Sequence, residues 1–278
     1  MEIHDRAGDS YCAENELGAL RLRMIRDYRR RLAVVIMFGL PAIALHYAAP
    51  YLAGPGDPRH MALPWLFELL LVGWACIVSG WPILWQGALS VLYLRASADL
   101  LTSVVLIASY VPSAVGVLGI AFGQESTFEP NLGRTPMCHA TILALGIAVA
   151  QRWLVHRAAP RLSGHGTLML RGFSRLVGIW LILMIFVGFV MGWRWALSLG
   201  MLLPPSLSLG SVNRWSPGWS MALPVIAFAV LLLVAPGALR LDVKGVEVEI
   251  AACFGLIMTM VFALGWARFV KSARSNGA

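Results

Sequence analysis

Residues 21–53, RLRMIRDYRRRLAVVIMFGLPAIALHYAAPYLA, join a strongly basic segment to a long apolar one. The first 11 residues hold six arginines and one aspartate, and the following 22 contain no charged side chain. A helix of about 20 apolar residues crosses the hydrocarbon core of a bilayer. Lysine and arginine collect on the cytoplasmic side of such helices. The stretch therefore predicts a transmembrane helix that begins in the cytoplasm.

The composition of the whole chain is also that of a membrane protein. Of its 278 residues, 59% are hydrophobic and 13% are charged, whereas a soluble domain has about 25% charged residues. The formal net charge of +8 fits basic cytoplasmic loops and contact with anionic lipid headgroups. We therefore expect a lipid bilayer around the chain and no nucleic-acid partner.

Eight apolar segments are predicted to be transmembrane helices. They cover residues 32–53, 63–85, 98–122, 137–155, 176–193, 195–211, 219–238 and 248–269. The predicted fold class is an all-α integral membrane protein, a bundle of about eight transmembrane helices in which the sixth is a candidate for a proline-broken helix. This domain, residues 32–270, lies between a polar and basic N-terminal segment, 1–31, and a C-terminal tail, 271–278. Residues 1–20 are expected to be poorly ordered.

The distribution of basic residues among the loops orients the bundle. Arginines follow the second, fourth and eighth segments, and most of the opposite loops carry fewer positive charges. The positive-inside rule then predicts that both termini are cytoplasmic, in a bacterial inner membrane. The loops have about 20 residues or fewer, which leaves no room for a soluble catalytic domain of at least about 50 residues.

Motifs that carry chemistry are absent from the sequence. There is no phosphate-binding glycine loop, no HExxH and no GxSxG. The four cysteines form no CxxC pair, and the six histidines show no i, i+4 pairing that would put two ligands on one helical face. We therefore predict neither an enzyme nor a cofactor, and no ligand set in the sequence supports a metal ion.

Four polar residues in or beside the apolar segments leave alternatives open. Glu68 lies about five residues into the second segment, where it could snorkel to the interface or serve a functional role. Asp99, at the start of the third, is expected to cap the helix N-terminus. His46 and His139 are single histidines near segment ends, for which interfacial packing is favoured over metal ligation.

Residues 80–110, GWPILWQGALSVLYLRASADLLTSVVLIASY, resemble the membrane entrance of heavy-metal-transporting P-type ATPases. In that family a GWP kink is followed by an N-M-D sequence and then by L…AAY. The matching residues here are Gly80, Trp81, Pro82, Asp99 and Tyr110, joined by Arg152, Trp153 and Leu154 at the cytoplasmic exit of the fourth segment. The resemblance implies the structural frame of that membrane domain.

The sequence LLPPSLSLG, residues 202–210, corresponds by the same resemblance to the family's C-P-C metal motif. Pro204 takes the position of the helix-breaking proline, Leu203 and Pro205 replace the two cysteines, and Ser206 and Ser208 follow. The stretch could instead be a helix end beside a short loop. The family's D-K-T-G-T and T-G-E motifs are absent, so the resemblance implies a membrane domain without an ATPase.

These observations predict a non-catalytic protein that serves as an accessory subunit or assembly factor of a membrane complex, with a link to metal or cofactor handling. A membrane protein or complex is its expected partner. The alternative is a passive or partner-driven transporter of a metal ion or small solute, with a pathway lined by Pro204, Pro205, Ser206 and Ser208, and by Glu68.

Overall fold

The computed structural model of the chain describes residues 3–53, 58–94, 97–122, 136–158, 166–191 and 194–202, and the single positions 226, 251, 255 and 257. Every regular element within these residues is helical. The elements are α1 (Ile3–Ala53), α2 (Pro58–Ala75), a π-helical turn (Cys76–Gly80), α3 (Trp81–Leu92), α4 (Ala98–Ala121), α5 (Cys138–Ala158) and α6 (Gly166–Met191). Residues 194–202 are also helical.

Three helical stretches are long and apolar enough to cross a membrane. They are Leu22–Ala49 in α1, Ala62–Leu92 through α2 and α3, and Ala98–Ala121 in α4. Two shorter apolar stretches, Cys138–Leu154 and Val177–Val190, lie in α5 and α6. The prediction of an all-helical chain is therefore confirmed for the described residues, and three of its helices have the length and apolar composition of membrane spans. About half of the sixth segment, and all but four residues of the seventh and eighth, lie outside the described residues.

The N-terminal region continues the first transmembrane helix. Helix α1 begins at Ile3 and runs without a break into the first apolar segment, because polarity alone does not end a helix. No proline occurs between Ile3 and Leu40, so nothing prevents the backbone hydrogen bonds from continuing. The expectation that residues 1–20 are poorly ordered stays a prediction.

The second transmembrane stretch includes the GWP sequence, as predicted, and continues beyond residue 85 to Leu92. Pro82 has no backbone N–H to donate to the carbonyl four residues earlier, which belongs to Val78. The chain forms a π-helical turn just before this proline, and Arg31 Nη1 donates to the Val78 carbonyl at 2.9 Å. Ser79 Oγ in turn donates to the Arg31 carbonyl at 3.1 Å. The kink is thus stabilised from α1.

Helix α1 packs against α2 and α5, and α4 packs against α2, α3 and α5. Two glycines let the helices approach closely. A Cβ atom on Gly39 of α1 would lie 2.8 Å from Ile142 Cγ1 of α5. Gly73 of α2 faces the ring of Tyr110, whose hydroxyl donates to the Leu69 carbonyl at 3.3 Å. The family-matching Tyr110 therefore joins α4 to α2.

Candidate functional site

Three polar side chains from three helices meet at one end of the bundle. They are His46 of α1, Glu68 of α2 and His139 of α5. His46 Nδ1 lies 3.2 Å from Glu68 Oε2, and the two imidazole rings have centroids 4.0 Å apart. One nitrogen from each histidine and one Glu68 carboxylate oxygen all lie within 4.8 Å of one another. We call these three residues the His–Glu–His cluster.

The antiparallel packing of the helices brings the His–Glu–His cluster together. His46 lies seven residues before the end of α1 and Glu68 ten residues after the start of α2, so these consecutive antiparallel helices put them at a similar depth. His139 is the second residue of α5. The start of α5 is held against α4, because the backbone N–H of Met137 donates to Ser113 Oγ at 2.7 Å.

The cluster is enclosed by protein. Glu68 is 0% exposed and His139 is 6% exposed, and the side chain of His46 is 10% exposed. Glu68 Oε2 contacts His46, whereas Glu68 Oε1 has no hydrogen-bond partner among the described residues. A buried carboxylate with an unsatisfied oxygen is costly. The arrangement therefore attracts a cation or a proton.

The chemistry of these groups is that of a metal ligand set. Two imidazoles and one carboxylate are the donors that zinc and other first-row divalent ions accept. The sequence allows Glu68 to snorkel, but its carboxylate does not reach the surface of the described structure. The sequence favours interfacial packing for His46 and His139 and predicts no metal ligand, whereas the fold brings both histidines to Glu68.

A second polar cluster lies at the opposite end of α1 and α5. Arg152 Nη2 of α5 forms an ion pair with Asp99 Oδ1 of α4, and Arg152 Nη1 lies 3.4 Å from the hydroxyl of Tyr28 in α1. The ring of Tyr28 stacks on His156, with centroids 5.2 Å apart. We call these four residues the Arg–Asp cluster, and it ties α1, α4 and α5 together.

The role expected for Asp99 needs correction. Ser97 is the N-cap of α4, because its side-chain oxygen accepts from the backbone N–H of Leu100 at 3.1 Å. Asp99 lies in the first turn and pairs with Arg152 instead. Ser97 has the extended backbone of an N-cap, and its short hydroxyl already accepts the N–H that the capping role would have given to Asp99.

The remaining predicted site residues have different surroundings. Trp81 is exposed and stacks with Trp85. The Trp153 ring carries the Arg157 guanidinium 5.5 Å from its centroid, and Leu154 is buried. The predicted helix break at Pro204, Pro205, Ser206 and Ser208 lies outside the described residues.

Comparisons with known proteins found no match for this chain: no family model, no curated protein and no solved structure is similar to it. The resemblance to P-type ATPases therefore stays a prediction from the sequence. The His–Glu–His cluster is the feature from which a function can be argued.

Proposed function

We propose that this protein is a non-catalytic, multi-span membrane protein that handles an ion inside its helix bundle, as an accessory subunit or assembly factor of a membrane complex. One observation carries the proposal: Glu68 is completely buried at membrane depth, and one of its carboxylate oxygens has no partner within the described structure.

The cost of burying Glu68 supports this function. An acidic side chain costs about 2.5–3.5 kcal/mol at the centre of a transmembrane helix on insertion scales and less toward the ends, and Glu68 is the seventh residue of the Ala62–Leu92 stretch. The single hydrogen bond to His46 offsets only part of that cost. Acidic residues kept at such positions serve ion or proton chemistry in most membrane proteins. A cation bound at Glu68 would satisfy the free oxygen and neutralise the charge.

The packing between the two polar clusters favours an accessory protein over a conduit. Apolar side chains fill the α1–α5 interface between them, among them the buried residues Val35, Ala42, Ile142 and Leu145. The hydroxyls of Ser109, Ser113 and Thr141 bond to backbone carbonyls of their own helices. An ion held at one end thus meets a tightly packed apolar region in the described part of the bundle.

The transporter remains the alternative, since Glu68 lies within the membrane-spanning part of the bundle. In either case we propose a relative of the heavy-metal P-type ATPase membrane domain that has lost the ATPase, located in a bacterial inner membrane with both termini cytoplasmic. The absence of D-K-T-G-T from the sequence supports a chain that does not couple ATP hydrolysis to transport.

Glu68→Gln in the native host tests the function, because glutamine keeps the size of the side chain and removes its charge. We expect equal amounts of variant and wild type in the membrane. Wild-type protein purified in mild detergent should co-purify with a membrane complex. When the variant replaces the wild type in the host, that complex should contain less of its ion and have lower activity. Asp27→Asn is the matched control, since the Asp27 side chain is 54% exposed.

Two results would contradict the proposal. If the complex keeps full activity with Glu68→Gln, the Glu68 carboxylate is not required for the function. Ion flux through proteoliposomes that contain the purified chain alone would establish the transporter instead.

A further inference from the structure

We infer that His46, Glu68 and His139 together bind one divalent transition-metal ion of the zinc class. The inference rests on the proposed function in one respect only, namely that the Glu68 carboxylate is the working group. It adds the identity of the ion and the two histidines that hold it.

The geometry is close to that of an occupied site. Zinc lies about 2.0–2.2 Å from nitrogen and oxygen ligands, so tetrahedral ligand atoms are about 3.3 Å apart. His46 Nδ1 and Glu68 Oε2 are already 3.2 Å apart, and the most distant of the three ligand atoms are within 4.8 Å. Small side-chain rotations would bring all three atoms to one ion.

The donor set selects the class of ion. Copper(I) prefers thiolate and thioether sulfur, whereas magnesium and calcium prefer six or more oxygens. Two imidazole nitrogens and one carboxylate oxygen suit zinc and its divalent neighbours. Glu68 supplies one negative charge toward the two positive charges of the ion, and its unpartnered Oε1 is an independent sign that a ligand belongs here.

The location allows the ion to enter and leaves room in its coordination shell. The His46 side chain keeps 10% of its surface exposed among the described residues, more than Glu68 or His139, so an ion reaches the enclosed cluster past His46. Three protein ligands leave a fourth position of a tetrahedral ion for water or a ligand from a partner protein. Such an open position suits a protein that hands an ion on.

Zinc titration of the full chain tests the site. The protein is purified in detergent through a tag without histidine, stripped with a chelator, and titrated with Zn²⁺ against a chromophoric competitor. We expect one equivalent per chain, and at least a tenfold weaker affinity in His139→Gln and in Glu68→Gln. His156→Gln is the matched control, because His156 lies in the same helix at the opposite cluster, and it should bind as wild type does.

Cobalt(II) absorption of the wild-type protein tests the ligands without any substitution. We expect visible d–d bands typical of nitrogen and oxygen ligands and no thiolate charge-transfer band, although Cys138 is the residue before His139. The inference would be overturned by no stoichiometric Zn²⁺ or Co²⁺, by a thiolate band, or by equal loss of affinity in His156→Gln.

The two proposals fail in different ways. If zinc binding depends on Glu68, but the complex is fully active with the Glu68→Gln variant, the metal site is correct and the proposed function is wrong. If no metal binds, but Glu68→Gln is defective in the host, the metal site is wrong and the proposed function stands.

Discussion

The Arg–Asp cluster and the His–Glu–His cluster each place a carboxylate between helices, near opposite ends of the Leu22–Ala49 stretch of α1. Tyr28 and His46 in this stretch are separated by a helical rise of about 27 Å, close to the roughly 30 Å thickness of a bilayer core. In the first cluster Asp99 keeps 34% of its side chain exposed and pairs with an arginine. In the second, Glu68 is fully buried, and among the described residues its one hydrogen-bond partner is His46.

This difference separates a structural ion pair from a site for a ligand. The guanidinium of Arg152 is always charged and neutralises Asp99 permanently. Histidine can be neutral, so His46 provides Glu68 with no permanent countercharge. The first cluster is electrostatically complete, and the second becomes complete when a cation binds. Four substitutions test this comparison.

Arg152→Leu is expected to have the largest effect on stability. It leaves Asp99 without its countercharge at a helix junction, and removing one partner of a fully buried pair costs about 3–5 kcal/mol. Because Asp99 is one-third exposed, we expect a loss of about 2 kcal/mol, measured by unfolding in mixed micelles. Arg157→Leu is the control, since Arg157 is exposed. Equal losses of unfolding free energy in the two variants would mean that the Arg–Asp cluster does not specifically stabilise the packing of α1, α4 and α5.

Gly39→Ala should weaken both clusters together. Its new Cβ would lie 2.8 Å from Ile142 Cγ1, which forces α1 and α5 apart, and overpacking of this kind costs about 1–2 kcal/mol. Zinc affinity should fall with stability, because α1 and α5 each supply one histidine of the His–Glu–His cluster. Gly119→Ala is the control, because a Cβ there meets no atom within 4 Å. Unchanged zinc affinity in Gly39→Ala would argue against coupling through the helix spacing.

Glu68→Gln should stabilise the metal-free protein, in contrast to Arg152→Leu. It removes a buried charge and keeps a group that can bond to His46, so we expect a gain of about 1 kcal/mol. The gain should disappear when saturating Zn²⁺ is added, because binding that is at least tenfold tighter stabilises the wild type by about 1.4 kcal/mol more than the variant. A loss of stability in the metal-free variant would show that the carboxylate is structural, like Asp99.

Arg31→Met is expected to have the smallest effect. It keeps the length of the side chain but removes the donor to the Val78 carbonyl, and a hydrogen bond contributes about 0.5–1.5 kcal/mol net. We expect a loss near the lower end of that range, since the pair with Asp27 that is also lost is exposed. Unfolding in micelles measures this loss of stability. A loss above about 2 kcal/mol would show that the contact of Arg31 with the π-helical turn contributes more than one hydrogen bond.

Much of the helical structure could be predicted from the sequence, and the candidate site could not. Charge-free runs that are long enough as helices to cross a bilayer predict spans directly, as for residues 100–121 of α4. His46, Glu68 and His139 are far apart in sequence, and no spacing rule links them. The signal that could have found them is their depth, because an up-and-down bundle puts the end of one span beside the start of the next. Glu68 looked close enough to the interface to snorkel, and only packing determines that it is enclosed.

The contact between Arg31 and the π-helical turn has a mechanical consequence. Hydrogen bonds join α1 to the following span at two depths. The Arg31–Val78 and Ser79–Arg31 bonds lie at one depth, and the His46–Glu68 contact lies at the other. A slide of α1 by one residue, about 1.5 Å, would stretch bonds of 2.9–3.2 Å at both depths at once. This pair of spans therefore resists piston-like movement of α1. An ion bound at Glu68 would have to be released by turning side chains, or by tilting α5 and its histidine away.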